Sequence, residues 1–244
     1  MDNSTILKSS YTVTSADTDM FSRLRPGALV NYLIQSAISS AENLGFGFGD
    51  LKENHLFWVL NRLTIEIYRP VKWSEEIKVE TWPKDVERIF FLRDFIVRDT
   101  NEEIVAKANS AWLAIDLKTK RPSGYVNENM QAFTRLKDLY ALDYPPEKLG
   151  VVGADSSKEI VPSYFDIDLN KHVTSTRYVD WMMDTFSVDF HKENYPKHLS
   201  INYQKETMIG ECVQLKHQAE ENNHYFEGYN LPQDKVAFRG KLVF

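Results

Sequence analysis

Asp168, Asn170 and His172 occupy every second position of FDIDLNKHVTSTRYVDW (residues 165–181), just before a run with helical apolar spacing. Read as an extended segment, alternate side chains face one way, so an acid, an amide and an imidazole converge on one small volume. A helix predicted to begin near residues 173–175 brings N–H groups without intrahelical partners, and these favour negative charge. Asp and Asn are also common helix caps, and a capping turn alone accounts for those two residues. It does not account for His172.

The elements around this stretch fall into two similar sets. In the first half, SSYTVTSADTD reads as a strand and a helix follows from about Pro26, which suits a first helical turn. Leu29, Leu33, Ala37, Ala41 and Leu44 make its stripe, Val30, Ile34 and Ile38 widen it, and Gly45 is a natural stop. WVLNRLTIEIY, EIKVETWP, RIFFLRDFIVRD and EEIVAKANSAWLAID then read as strands, with a hairpin turn at 99–103. Both alternating faces of RIFFLRDFIV are apolar, which predicts a strand covered on both sides. In the second half, SKEIVPSYFDID is predicted as a strand and STRYVDWMMDTFSVDF as one helix, with Tyr178, Trp181, Met182, Thr185 and Phe186 in helical spacing. LSINYQKE, ECVQLKHQAE, HYFEGYN and KVAFRGKLVF complete it, with EENNH as the matching turn. Between the halves, residues 118–158 hold Pro122, Gly124, Pro145, Pro146, Gly150 and Gly153, and read as a linker with a short helix near QAFTRLKDLY.

The repeat is visible in the residues. LTIEIYRPVKWSEEIKV (63–79) lies over LSINYQKETMIGECVQL (199–215) without a gap. Asp19 then stands opposite Asp168, but Phe21 replaces Asn170, Arg23 replaces His172 and Pro70 replaces Glu206. A helix followed by four strands, twice over, predicts an α+β layout in which an antiparallel sheet covers each helix.

Bulk properties remove several function classes. The 244 residues are 43% apolar and 26% charged, with a net charge of −6, which argues against a generic nucleic-acid binder. No apolar run approaches the ~18 residues of a membrane helix, and MDNSTILKSS lacks the pattern of a signal peptide. The single cysteine, Cys212, excludes an internal disulfide and a cysteine-rich metal site, which favours a reducing, cytoplasmic setting. His172, His191 and His198 are 19 and 7 residues apart, a spacing that fits no common zinc pattern. GFGFGD has no lysine after it and follows a helix, so it is no phosphate loop, and no GxSxG elbow occurs. No cofactor is expected.

DIDLNKHV with Tyr178 and Trp181, FWVLNRLTIEIYRPVKWSEEIKVETWP, RDFIVRD, SAWLAIDLKTKRPS and, 34 residues after His172, the glutamate of YQKET resemble the acyl-acyl-carrier-protein thioesterases over nearly the whole chain. The resemblance implies a tandem hotdog fold: an acyl-chain-binding hotdog over 1–120, a linker over 121–157 and a catalytic hotdog over 158–244. It implies hydrolysis of a fatty acyl thioester, with acyl carrier protein as partner. It also implies a catalytic set of Asp168, Asn170, His172 and Glu206: Glu206 activating water with His172 nearby, Asn170 orienting the thioester, Asp168 holding the pair. Phe46, Phe48, Phe57 and Trp58 are candidates for the acyl tunnel. Many plant relatives carry cysteine after that glutamate; here the residue is Thr207, so a covalent cysteine route is closed there, and Cys212 is read as packing within a strand. Lys171, Arg177, Lys192, Lys197 and Lys205 are candidates for docking an acidic carrier. Coenzyme A as the thiol and a non-catalytic acyl-binding protein are the alternative readings. Neither nucleic acid nor membrane is an expected partner, and pairing of two chains stays open, as does acyl chain length.

Overall fold

The structure is a computed structural model and describes residues 5–124 and 131–244. The first four residues of the N-terminal reading and residues 125–130 of the expected linker lie outside the described residues. The chain divides into two compact units, one of residues 5–25, 29–124 and 131–146, the other of residues 26–28 and 147–244. No described helix is long and apolar enough to cross a membrane.

The first unit contains β1 (Leu7–Thr12), all but the first three residues of α1 (Pro26–Asn43), α2 (Phe48–Glu53), β2 (Leu56–Ile67), β3 (Glu76–Glu87), β4 (Phe90–Asp99), β5 (Ile104–Asp116) and the single turn α3 (Gln131–Thr134). Its strands pair antiparallel in the order β1-β3-β4-β5-β2. The predicted helix stop acts as read. Gly45 takes φ +75°, its N–H donates to Glu42 O and that of Phe46 to Ala41 O. This is a Schellman ending, which only a left-handed residue allows without steric cost. The turn places Phe46 in a buried cluster with Ala41, Leu51, Leu56, Phe91, Ala114 and Phe133. Strand β4 is buried on both faces for most of its length, as its composition predicts.

Much of the expected linker is packed into this first unit. Phe133, Leu136, Ala141 and Leu142 are buried. Ala141 N donates to Asp94 Oδ2 at 2.8 Å, and Trp82 Nε1 donates to Leu139 O at 3.4 Å. Turn formers fix where a chain bends, and the apolar residues between them decide what it packs against.

The second unit contains β6 (Ser156–Ile160), α4 (Ser175–Met183), α5 (Val188–Glu193), β7 (His198–Tyr203), β8 (Val213–Glu220), β9 (Asn223–Asn230) and β10 (Lys235–Val243). The order β7-β10-β9-β8-β6, again antiparallel, repeats that of the first unit strand for strand. The α+β double hotdog is therefore present, with one local difference. The helix expected to continue to Phe190 breaks after Met183. Thr185 Oγ1 donates to Met182 O at 2.7 Å, ending α4, and Ser187 Oγ accepts from Phe190 N at 3.2 Å, capping α5. Small hydroxyl residues compete with helix continuation in this way. Thr185 and Phe186 thus leave the helix, and Phe186 stacks on Phe190 at 4.6 Å.

Two glycines let the second unit close. A Cβ on Gly240 would lie 2.0 Å from Met182 Sδ, and one on Gly228 would lie 2.2 Å from the Phe238 ring. Both neighbours are fully buried. The Phe238 ring in turn packs on Tyr178 of α4 at 4.7 Å. Gly228→Ala should therefore cost about 1–3 kcal/mol of stability by overpacking, read as a lower urea midpoint with the slope unchanged. A midpoint equal to that of the parent protein would contradict this account of the packing.

Candidate active site

The segment before α4 is built as a closed loop. Asp166 ends a 3-10 turn (Tyr164–Asp166), and its Oδ2 accepts from Ser163 N at 2.7 Å and Ser163 Oγ at 2.9 Å. Asp168 N donates to His172 O at 2.8 Å and Lys171 N to Asp168 O at 3.0 Å. Lys171 adopts φ +67°. Asp168 Oδ1 accepts from Asn170 N at 2.8 Å and, more weakly, from His172 N at 3.4 Å. Strand alternation is therefore not what gathers the three residues, because β6 ends at Ile160 and residues 168–172 turn back on themselves. Loop closure sets Asp168 and His172 opposite one another and leaves Asn170 exposed at the tip. Helix α4 starts at Ser175, within the predicted window.

The first unit contains the same loop. Asp19 N donates to Arg23 O at 2.8 Å, Ser22 N to Asp19 O at 3.0 Å, and Arg25 N to Asp17 O at 2.8 Å, the counterpart of Thr174 N to Asp166 O at 2.9 Å. Asp19 Oδ1 accepts from Phe21 N and Arg23 N, both at 2.9 Å. Ser22, with φ +60°, matches Lys171. The copies differ in the second carboxylate oxygen. Asp19 Oδ2 is held by Arg23, at 2.9 Å from Nε and 2.8 Å from Nη2, and the guanidinium lies over the Phe21 ring at 4.9 Å. Among the described residues, Asp168 Oδ2 and the side chains of Asn170 and His172 make no hydrogen bond, so those groups are available to a ligand.

Glu206 does not end a strand, as expected, but stands three residues beyond β7. The segment that carries it runs beside the loop: Val173 N donates to Thr207 O at 2.8 Å, and His172 pairs with Met208 across the bridge. Tyr203 Oη donates to Ser175 O at 3.0 Å, tying the end of β7 to the start of α4. The Glu206 side chain is 42% exposed and accepts from Lys205 Nζ at 2.8 Å. Partial burial works against its ionisation, but the Lys205 ammonium, assisted by His172, holds its carboxyl below the usual glutamate range. The structure thus brings Asp168, His172 and Glu206 together and sets Asn170 on the rim.

Neighbouring groups narrow the chemistry. Cys212 precedes β8 and is half-buried, not packed within a strand. Partial burial and the Glu159 carboxylate push its thiol up, away from the nucleophilic thiolate. Thr207, the residue after Glu206, is fully buried. Arg177 is not a free docking cation: its Nε meets Asp166 at 2.6 Å and its Nη1 meets Asp180 at 3.0 Å. Lys171 is exposed at the loop.

The first unit also holds an apolar cavity with about 390 Å³ of empty space, part of it open to solvent. Phe46 and Trp58, two of the four expected tunnel residues, line it with Phe91, Trp112, Phe133 and Arg93. Phe48 is instead exposed, and Phe57 lies under the Lys120 ammonium at 5.4 Å. The sequence reading did not single out Arg93, although a cation in the middle of RIFFLRDFIV, a strand apolar on both faces, is the signal that marks it.

Comparison with known proteins agrees with this architecture. The model of the acyl-ACP thioesterase N-terminal domain matches residues 4–133, and that of the C-terminal domain matches residues 151–241. Oleoyl-acyl carrier protein thioesterase 2 of Arabidopsis thaliana is 26% identical over 209 residues, covering 76% of this chain and 55% of its own length. Dodecanoyl-[acyl-carrier-protein] hydrolase of Cinnamomum camphora is 27% identical over 202 residues, covering 77% and 52%. The chain spans about half the length of the curated relatives it matches. Among solved structures, an acyl-ACP thioesterase from Bacteroides thetaiotaomicron superposes with TM-score 0.87 at 27% identity over 98% of both chains.

The paired loops yield a stability test. Asp168→Ala removes the acceptor for two backbone N–H groups and should cost about 0.5–2 kcal/mol, the range for lost caps. Asp168→Asn keeps an acceptor oxygen and should retain most of that stability. Asp19→Ala should cost more than Asp168→Ala, because it also strands Arg23. Urea unfolding of the three variants checks the ranking, and an unaffected Asp168→Ala protein would contradict the capping role.

Proposed function

We propose, from the fact that this chain belongs to the acyl-ACP thioesterase family, that it hydrolyses fatty acyl-acyl-carrier-protein to free fatty acid and carrier thiol. One observation carries the reading to particular residues. The same loop occurs twice, and only the second copy bears Asn170 and His172 beside a carboxylate, where the first has Phe21, Arg23 and Pro70. A loop needed only for folding would not require that difference.

In the proposed reaction the Glu206 carboxylate takes a proton from water as its oxygen bonds to the thioester carbon. The carbonyl electron pair moves onto oxygen, and the Asn170 amide donates to the oxyanion that forms. A donor of that kind contributes on the order of 3 kcal/mol where charge develops. Collapse breaks the C–S bond, and the thiolate recovers the proton held by Glu206. His172, within electrostatic reach of Glu206, orients the water or relays the proton. Asp168 acts through the backbone, fixing the loop that presents both residues. The raised Cys212 thiol and Thr207 at the position after Glu206 favour direct attack by water over a covalent intermediate.

We assign the acyl chain to the first unit and the chemistry to the second. The aromatic cavity supports the first assignment and the polar loop the second. For the carrier, whose phosphates and acidic surface need a cation, we assign Lys171, which is exposed, and not Arg177, which is occupied by Asp166 and Asp180. The setting we propose is cytoplasmic, where Cys212 stays a thiol.

Glu206→Gln should lower kcat on acyl-carrier substrate by about 10²–10⁴, the range for a general base, with the fold intact by circular dichroism. Turnover close to that of the parent protein would remove Glu206 from the mechanism. The same acyl chain carried on coenzyme A should give a lower kcat/KM than on the carrier; the opposite order would assign the thiol to coenzyme A.

The Lys205 contact adds a pH signature. Glu206 works ionised, so kcat/KM falls as pH drops through its pKa, which lies below the ordinary glutamate value of about 4.3. Lys205→Met removes the ammonium that favours the anion. The acid limb of the profile should move to higher pH, and an unmoved limb would show that Lys205 does not tune the base.

A further inference from the structure

Arg93 is the least expected residue of the first unit. It is 5% exposed and lines a cavity whose other walls are Ala37, Ile38, Ala41 and a set of aromatic and aliphatic side chains. Its Nη1 donates to Thr81 Oγ1 at 3.2 Å, and among the described residues no carboxylate pairs with the guanidinium. The adjacent Asp94 does not compensate it. Strand alternation turns Asp94 to the opposite face, where its Oδ2 accepts from Ala141 N at 2.8 Å and lies 3.5 Å from Lys84 Nζ. Burial pushes the Arg93 guanidinium down to about 9, which leaves it cationic at neutral pH.

A buried cation without a counter-charge is unfavourable, and proteins keep one where a ligand supplies the anion. The planar fork of arginine suits a carboxylate, which it can meet with two parallel hydrogen bonds. The remaining lining suits an alkyl chain. Apolar walls with one fixed polar group are the usual make-up of a small-molecule site.

We propose that Arg93 makes the cavity of the first unit a site for a free fatty acid that enters head first, setting its carboxylate on the guanidinium and its chain against Phe46, Trp58, Phe91 and Phe133. A thioester chain entering the same cavity by its methyl end offers Arg93 nothing to bind. The free acid does, so the acid competes with substrate for the cavity and slows turnover as it accumulates. The site deepens the functional reading, since this ligand is the chemical product proposed above, but binding itself requires no hydrolysis.

Titration calorimetry of the full chain at pH 8 with dodecanoate and with dodecanol, both below their aggregation limits, tests the assignment. Dodecanoate should bind at least tenfold tighter than dodecanol, and Arg93→Met should bring the two within about twofold while retaining the alcohol. Equal affinities in the parent protein, or an acid preference that survives Arg93→Met, would overturn the proposal. Should Arg93→Met fail to fold, ¹³C-carboxyl-labelled dodecanoate on the parent protein gives a second reading. The bound carboxyl should titrate at least one pH unit below the acid in water; a midpoint at or above that of the free acid overturns the site. An inactive protein that prefers the acid would count against the hydrolase reading alone, and an active one without the preference against Arg93 alone.

Discussion

A single carboxylate oxygen holding two backbone N–H groups is the constraint on which the candidate site depends. Asp168 Oδ1 in the second unit, and Asp19 Oδ1 in the first, accept from the residues two and four positions on. That contact closes a loop of five residues and fixes where the following helix starts. It also forces one residue into the left-handed region, Lys171 or Ser22. Neither is glycine, so the strain of that conformation is carried by the surrounding hydrogen bonds. The side chains at the second and fourth positions after the aspartate are then presented without having to hold the loop themselves.

That separation of tasks explains why the two copies diverge where they do. Residues that make the loop are alike in kind: an aspartate ending each 3-10 turn, an aspartate closing each loop, and a backbone bridge to the strand segment alongside. Residues that merely ride on it are not. In the first copy Arg23 satisfies the second oxygen of Asp19 and covers Phe21, which makes the loop electrostatically complete. In the second, His172 replaces the arginine, and the acid, amide and imidazole keep hydrogen-bonding capacity. The carboxylate on the segment alongside, Glu206, is held as an anion by Lys205.

Much of this was legible in the residues, because the signals were periodic or local. The gapless match of 63–79 to 199–215 predicts two units with the same strand order, and Gly45 marks the end of α1. The misreadings share a cause: pattern reports which face a residue occupies but not when the chain turns. Alternation at 168, 170 and 172 looks like a strand, yet one left-handed lysine makes it a loop. Helical spacing continues through Thr185 and Phe186, yet two hydroxyl caps end α4 and restart α5. Glycines and prolines mark 118–158 as linker, while the apolar Phe133, Leu136, Ala141 and Leu142 between them bind part of it to the first unit.

Arg93 shows the reverse case, in which the pattern was sound and its exception carried the information. RIFFLRDFIV predicts a strand with no polar face, and β4 is one. A strand of that kind has no place to send a charge at its centre, so the two ionic residues there, Arg93 and Asp94, each need an explanation of their own. Asp94 finds one in Ala141 and Lys84. Among the described residues Arg93 finds only the Thr81 hydroxyl, which is neutral and already donates to Asp94 O at 2.9 Å. Hydrophobic packing alone would favour leucine or methionine at this position, with no desolvation cost and a drier cavity. The guanidinium is therefore better understood through what enters the cavity than through what holds the unit together, and the same logic separates Asn170 and His172 from the aspartate beneath them.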